Sequence, residues 1–135
     1  MTRSSKPIAL ILNCGYSEAP LIQRLEPLCT LYATGPDPRA LLAPMLAHRY
    51  LPAGPKDRTA LAGLARDLNP DLIVSSCHDD GWRAAAQLSE SLGLTGFDST
   101  EVVESLANKA SFRKIESCKV FDLPQRLTLP QAKDA

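Results

Sequence analysis

The sequence carries no excess of charge of either sign: 15 Lys and Arg residues stand against 15 Asp and Glu residues. It also lacks a basic stripe or a patch in which aromatic and basic side chains alternate. An electrostatic nucleic-acid binder is therefore disfavoured. Long hydrophobic runs are missing as well. The start, Met1 to Lys6, is polar, and the apolar stretch from Ile8 to Leu12 is shorter than a signal-peptide core or a membrane span. A cytoplasmic protein without nucleic-acid or membrane partners is expected. The four cysteines, Cys14, Cys29, Cys77 and Cys118, are scattered and form no Cys-x-x-Cys pair. That spacing argues against a disulfide framework or a zinc knuckle and for reduced thiols.

What is present fits one folded domain of 135 residues with 44% apolar and 22% charged residues. No internal repeat is visible, and most of the eleven prolines fall at element borders, among them Pro20, Pro36, Pro38, Pro52, Pro55 and Pro70. Pro7 to Cys14 is a continuous apolar run of the kind that forms a strand buried on both faces. Gly15 breaks it, and from Ser17 onward Leu21, Ile22, Leu25 and Leu28 recur at helical spacing. The cycle repeats with a short strand over Thr30 to Thr34, a helix over Pro38 to Ala47 and a brief third strand over Arg49 to Leu51. Asp57 is placed to cap a helix through Leu61, Leu64, Ala65 and Leu68. Asn69-Pro70 ends it, and Asp71 to Ser76 reads as a fourth strand. Asp80 is placed to cap a helix from Trp82 to Leu92. Gly93 sits at its left-handed end, and Leu94 to Phe97 forms a short fifth strand.

Strands alternating with helices predict an α/β, Rossmann-like, doubly wound parallel sheet in the order 3-2-1-4-5, because each parallel crossover needs a helix and the crossovers are right-handed. In that order strands one and four are neighbours, and the crevice between their carboxyl ends is the topological switch point. Two loops should face each other there, Asn13 to Glu18 and Ser75 to Asp80. Backbone amides at two helix starts favour an anion, and Asn13, Ser17, Ser76 and His78 offer hydrogen bonds, so a carboxylate or phosphate ligand is chemically reasonable. An ordinary polar strand-to-helix loop explains the same residues. The first loop lacks Gly-x-Gly-x-x-Gly, and no acidic residue closes the second strand, which disfavours a dinucleotide dehydrogenase. Convergence of Cys14, Cys77 and His78 into a metal site or a cysteine nucleophile is weighed against buried, inert cysteines, which the pattern favours. Ser76, His78 and Asp79 are too close in sequence for a catalytic triad. Asp79 and Asp80 are explained as helix-start residues more simply than as magnesium ligands. Trp82 reads as core or interface filling, and His48 as a border histidine.

Downstream, Asp98-Ser99-Thr100-Glu101 has the form of a capping box, and Asn108 is placed to cap a second helix beginning at Lys109. Lys109 would then sit at a helix start with its ammonium able to reach a phosphate, or simply remain a solvated lysine. The segment Leu92-Gly93-Leu94-Thr95-Gly96, a capped helix and the Asn108-Lys109 pair resemble the exit from the N-terminal, pre-ATP-grasp domain of ATP-grasp ligases. The resemblance covers the chain from about Pro7 to Lys119. It implies a pre-ATP-grasp Rossmann-like domain over residues 1–119, and a tail or the start of a missing ATP-grasp region over 120–135. It implies an ATP contact for Lys109. For Gly15, Tyr16, Ser76 and His78 it implies, more weakly, contact with a small carboxylate or amine substrate. ATP and Mg2+ would bind only with the missing region, and no cofactor is expected for the chain alone. A separately encoded ATP-grasp half or a second copy of the chain is the partner expected.

Two functions compete. One is the N-terminal domain of an ATP-dependent carboxylate-amine or carboxylate-thiol ligase, inactive alone. The other is a non-catalytic small-molecule-binding, docking or regulatory module of the same fold. A flavodoxin- or receiver-like signalling domain would need clustered acidic residues at the end of the first strand, and Asn13-Cys14 does not supply them.

Overall fold

Five consecutive residues without a charge, Ile8–Leu12, form the central strand β1, and Ala9 to Leu12 are wholly buried. A computed structural model describes residues 6–37, 39, 49–75 and 77–115. Side chains alternate across a strand, and β1 accordingly feeds two separate cores. Ala9 and Ile11 pack with Ile22, Cys29, Leu31 and Ala33 on one face. Leu10 and Leu12 pack with Leu61, Ala65, Ile73, Ala85 and Leu88 on the other. A strand apolar at every position is what a sheet covered on both faces requires.

Strand β2 (Thr30–Gly35), β3 (Tyr50–Pro52) and β4 (Leu72–Ser75) complete a parallel sheet in the order β3-β2-β1-β4. Ala9 lies in register with Leu31 on one side and with Leu72 on the other. The expected Rossmann-like architecture and strand order are present, with four strands instead of five among the described residues. The segment Leu94 to Phe97 bends instead of extending. Gly93 caps the preceding helix at φ +66, the Leu94 N–H is spent on the Ser89 carbonyl at 2.8 Å, and Gly96 turns the chain at φ +110. Its amide is thus committed to helix termination and not to a ladder. Leu94 and Phe97 still pack against the second core.

The first helix is preceded by a single 3-10 turn, Tyr16–Glu18, and runs as α1 over Ala19–Leu25. Leu28 falls beyond its end and is 64% exposed, so it is not the core position its spacing suggested. Helix α2 (Arg58–Leu68) starts as expected, the Asp57 carboxylate accepting the Ala60 N–H at 3.0 Å. Helix α3 spans Asp79–Leu92 and begins earlier than expected. His78 takes the cap position, and Asp80 lies inside the first turn. The helix expected over Pro38 to Ala47 and His48 lie outside the described residues, as do Cys118 and the boundary expected at residue 119.

The chain divides between Thr100 and Glu101 into two compact units. Helix α4 (Thr100–Ala107) starts at the end of the first unit, where Glu90 accepts the Thr100 N–H at 3.1 Å and also its hydroxyl. In the second unit the Asn108 side chain accepts the N–H groups of Ala110 and Ser111, starting α5 (Lys109–Phe112) as the sequence predicts. Among the described residues no helix is long and apolar enough to cross a membrane.

Two glycines separate packing from propensity. A Cβ on Gly35, at the end of β2, would lie 2.8 Å from the Tyr50 hydroxyl and 3.2 Å from the backbone oxygen of Cys14. A Cβ on Gly63, within α2, meets nothing within 4 Å. Gly35→Ala is expected to destabilise the protein by about 1–3 kcal/mol through overpacking, and Gly63→Ala to stabilise it by roughly 0.5–1 kcal/mol through helix propensity. Urea unfolding of both variants checks the opposite signs.

Candidate functional site

The turn after β1 is held by β2. The Cys14 N–H reaches the Thr34 carbonyl at 2.6 Å, the Asn13 N–H reaches Thr34 Oγ1 at 3.3 Å, and that hydroxyl donates to the Ile11 carbonyl. Asn13 adopts φ +56, a left-handed conformation that asparagine tolerates better than most residues. The chain is thereby turned across the carboxyl edge of the sheet, toward the loop that follows β4.

Glu18 joins the two loops. Its side chain is buried, at 1% exposure, yet its carboxylate accepts three hydrogen bonds: the Gly15 N–H at 2.7 Å, the Ser17 hydroxyl at 2.9 Å and, from across the switch point, the Cys77 N–H at 3.1 Å. Burial alone would raise its pKa. The amides of Cys77 and Gly15 and the Ser17 hydroxyl outweigh that cost and hold it below the ordinary value of 4.5. The two loops do face each other, as the strand order requires. The anionic group drawn to their amides, however, is the protein's own carboxylate. From the sequence Glu18 is only the last residue of the loop that begins at Asn13. The Gly15-x-x-Glu18 spacing of a capping box signals the local bond, but nothing local signals the bond to Cys77.

Burial, with a smaller contribution from the same carboxylate, keeps Cys14 inert. Burial, reinforced by the negative charge of Glu18, pushes the Cys14 thiol up to about 11, so it is protonated at neutral pH and unsuited to nucleophilic attack. Cys77, in contrast to the expectation of buried cysteines, is exposed. Among the described residues no three His, Cys, Asp or Glu side chains are grouped to hold a metal ion.

Beside this clasp lies a cleft of about 300 Å3, lined by Asn13, Pro36, Gly54, Pro55, Lys56, His78 and Asp80. Every one of these residues follows the carboxyl end of a strand, which is where a parallel sheet places its ligands. The cleft is at the lower end of small-molecule pocket sizes and presents charges of both signs. Lys56 Nζ stands 3.7 Å from Asp80 Oδ2, and Arg83 reaches the other oxygen at 3.9 Å. Asp80 therefore serves this ion pair and not the helix cap expected of it. Of the residues anticipated as substrate contacts, His78 lines the cleft. Gly15 instead donates to Glu18, Tyr16 is 75% exposed in the 3-10 turn, and Ser76 is outside the described residues. Lys109 is exposed at the first position of α5, in the second unit. Pro36, Gly54, Pro55 and Lys56 were not anticipated, because only the fold brings the turns after β2 and β3 to this edge.

No protein-family model matches the sequence, and no curated protein matches it significantly. The structure is similar to that of phosphoribosylglycinamide synthetase from Anaerococcus prevotii, an ATP-grasp ligase, with a TM-score of 0.70 and 19% identity. The match covers 97% of this chain and 34% of that one, so the chain spans about a third of the solved structure it resembles.

The clasp predicts a pH dependence with two limbs. Because the folded-state pKa of Glu18 is lowered, its contribution to stability is present above pH 4.5 and is lost as pH falls through the folded value. Because the Cys14 pKa is raised from 9.0 to about 11, stability is expected to fall as pH rises between those values. Glu18→Gln should cost about 2–4 kcal/mol near neutral pH and flatten the acid limb. Cys14→Ala should flatten the alkaline one. Urea unfolding from acid to alkaline pH reads both limbs; an acid limb unchanged in Glu18→Gln would show that the carboxylate is not the group responsible.

Proposed function

We propose that this chain is the N-terminal domain of an ATP-grasp carboxylate-amine or carboxylate-thiol ligase. The observation that carries the reading is the structural similarity over 97% of the chain to about a third of an ATP-grasp ligase. In this reading the loops after β1 and β4 contribute to the site of a small carboxylate or amine substrate. The cleft supports that role with Lys56 available to a carboxylate, Asp80 to an amine, and Asn13 and His78 to hydrogen bonds. Occupation of the loop amides by Glu18 favours the cleft over those amides as the place where a ligand's charge is met.

ATP and Mg2+ would be supplied with a site by an ATP-grasp region, where ATP would phosphorylate the carboxylate and an amine or thiol would attack the acyl phosphate and displace phosphate. The described residues offer no grouped metal ligands, and no catalytic step is assigned to them. Lys109 is the residue of this chain proposed to reach the nucleotide, pairing its ammonium with a phosphate. The chain alone would then not turn over ATP, and a separate ATP-grasp half or a second copy of the chain would be its partner.

A second reading, a non-catalytic module that binds a small molecule, is favoured by one observation: the cleft and its charged lining belong entirely to the first unit.

Calorimetric titration with magnesium-ATP, of the chain alone and mixed with a candidate ATP-grasp half, separates the two readings. The ligase reading predicts heat only in the mixture, with affinity reduced about tenfold or more by Lys109→Ala. Absence of nucleotide binding in both settings, or binding indifferent to Lys109→Ala, contradicts it.

A further inference from the structure

Two cations share the Asp80 carboxylate at the wall of the cleft. Lys56 Nζ stands 3.7 Å from its Oδ2 and Arg83 Nη1 stands 3.9 Å from its Oδ1, both beyond hydrogen-bond length. The cations differ in freedom. Arg83 lies three residues on in the same helix with its side chain 27% exposed, whereas Lys56 comes from the turn after β3 and is 86% exposed. Arg83 therefore neutralises Asp80 whether or not Lys56 stays beside it. Lys56 is the charge that a ligand can recruit, because an exposed pair without a hydrogen bond costs little to exchange.

This count of charges separates the two ligand classes. An amine entering the cleft would be a third cation around one carboxylate, repelled by Lys56 and by Arg83. A carboxylate takes Lys56 as its partner and leaves Arg83 on Asp80, so that each cation faces one anion. A phosphate with two negative charges would exceed that balance. The rest of the wall is apolar: a Cβ built on Gly54 falls 3.4 Å from that of Pro36, and both residues are open to solvent at least in part. At the roughly 30 Å3 that liquid water gives each molecule, the cleft holds about ten heavy atoms, the size of benzoate. We infer that the cleft takes a monocarboxylate on a compact apolar body, in preference to an amine. The carboxylate pairs with Lys56, and the body lies on Pro36 and Gly54. The inference rests on the reading of this cleft as a substrate site and narrows it to one of the two classes.

The test is an NMR titration of the full chain at neutral pH and constant ionic strength with benzoate, benzamide, benzylammonium and phenyl phosphate, read at the amides of Asn13, Gly54, Lys56 and His78. Benzoate is expected to give saturable shifts, with affinity about fivefold or more above those of benzamide and benzylammonium, and phenyl phosphate is expected to bind no tighter than benzoate. Lys56→Gln should lower the benzoate affinity about fivefold, toward that of benzamide. Asp80→Asn should raise it about twofold or more by releasing Lys56, whereas a site for an amine would lose its anion in that variant. Absence of saturation with benzoate, equal affinity for benzamide, tighter binding of benzylammonium or phenyl phosphate, unchanged affinity in Lys56→Gln, or no gain in Asp80→Asn overturns the inference. The two levels fail separately. Preference for benzylammonium keeps the cleft as a substrate site and contradicts only the class of ligand, and the magnesium-ATP titration tests the ligase reading without reference to this cleft.

Discussion

The buried carboxylate of Glu18 is the interaction on which the carboxyl edge of this sheet depends. A charge removed from water costs several kcal/mol unless hydrogen bonds replace its hydration. Here two backbone amides and a hydroxyl replace it. One amide belongs to the loop after β1, and the other, that of Cys77, belongs to the loop after β4, 59 residues from Glu18 in sequence. Two segments that a parallel sheet merely brings near each other are thereby tied by one side chain. The tie is also electrostatic, since the protein's own negative charge occupies amides that would otherwise attract a phosphate or a carboxylate.

This arrangement moves the chemistry of the edge sideways. With the amides of Gly15 and Cys77 engaged, the charged groups facing the cleft are Lys56 and Asp80, contributed by the turn after β3 and the first turn of α3. A ligand there meets a cation and an anion already paired at 3.7 Å, an exposed pair that costs little to exchange. Cys14, one residue from Gly15, is kept protonated by burial and by the negative charge of Glu18. The edge is therefore built for recognition through hydrogen bonds and exchangeable ion pairs, without a thiol nucleophile of its own in Cys14.

Local chemistry was legible in the sequence and distant chemistry was not. The uncharged run Ile8–Leu12 announces a strand covered on both faces, and its neighbours follow from the alternation of strands and helices. Asp57, Gly93 and Asn108 cap helices as their residue types dictate, each bond spanning only a few residues. Leu94 to Phe97 misleads because its apolar residues do face a core while its backbone is committed to the helix end and the turn at Gly96. Leu28 misleads because helical spacing continues past the point where the helix stops. The bond from Cys77 to Glu18 and the approach of Lys56 to Asp80 depend on strand order, and only the assembled sheet supplies them.

The most direct measurement of the central claim is the pH dependence of the Gly15 and Cys77 amide proton shifts in the folded protein. A single carboxylate bonded to both predicts that the two amides titrate together, with one shared midpoint below the ordinary glutamate value of 4.5. Separate midpoints, or a Cys77 amide that does not respond while Gly15 does, would show that Glu18 does not join the two loops.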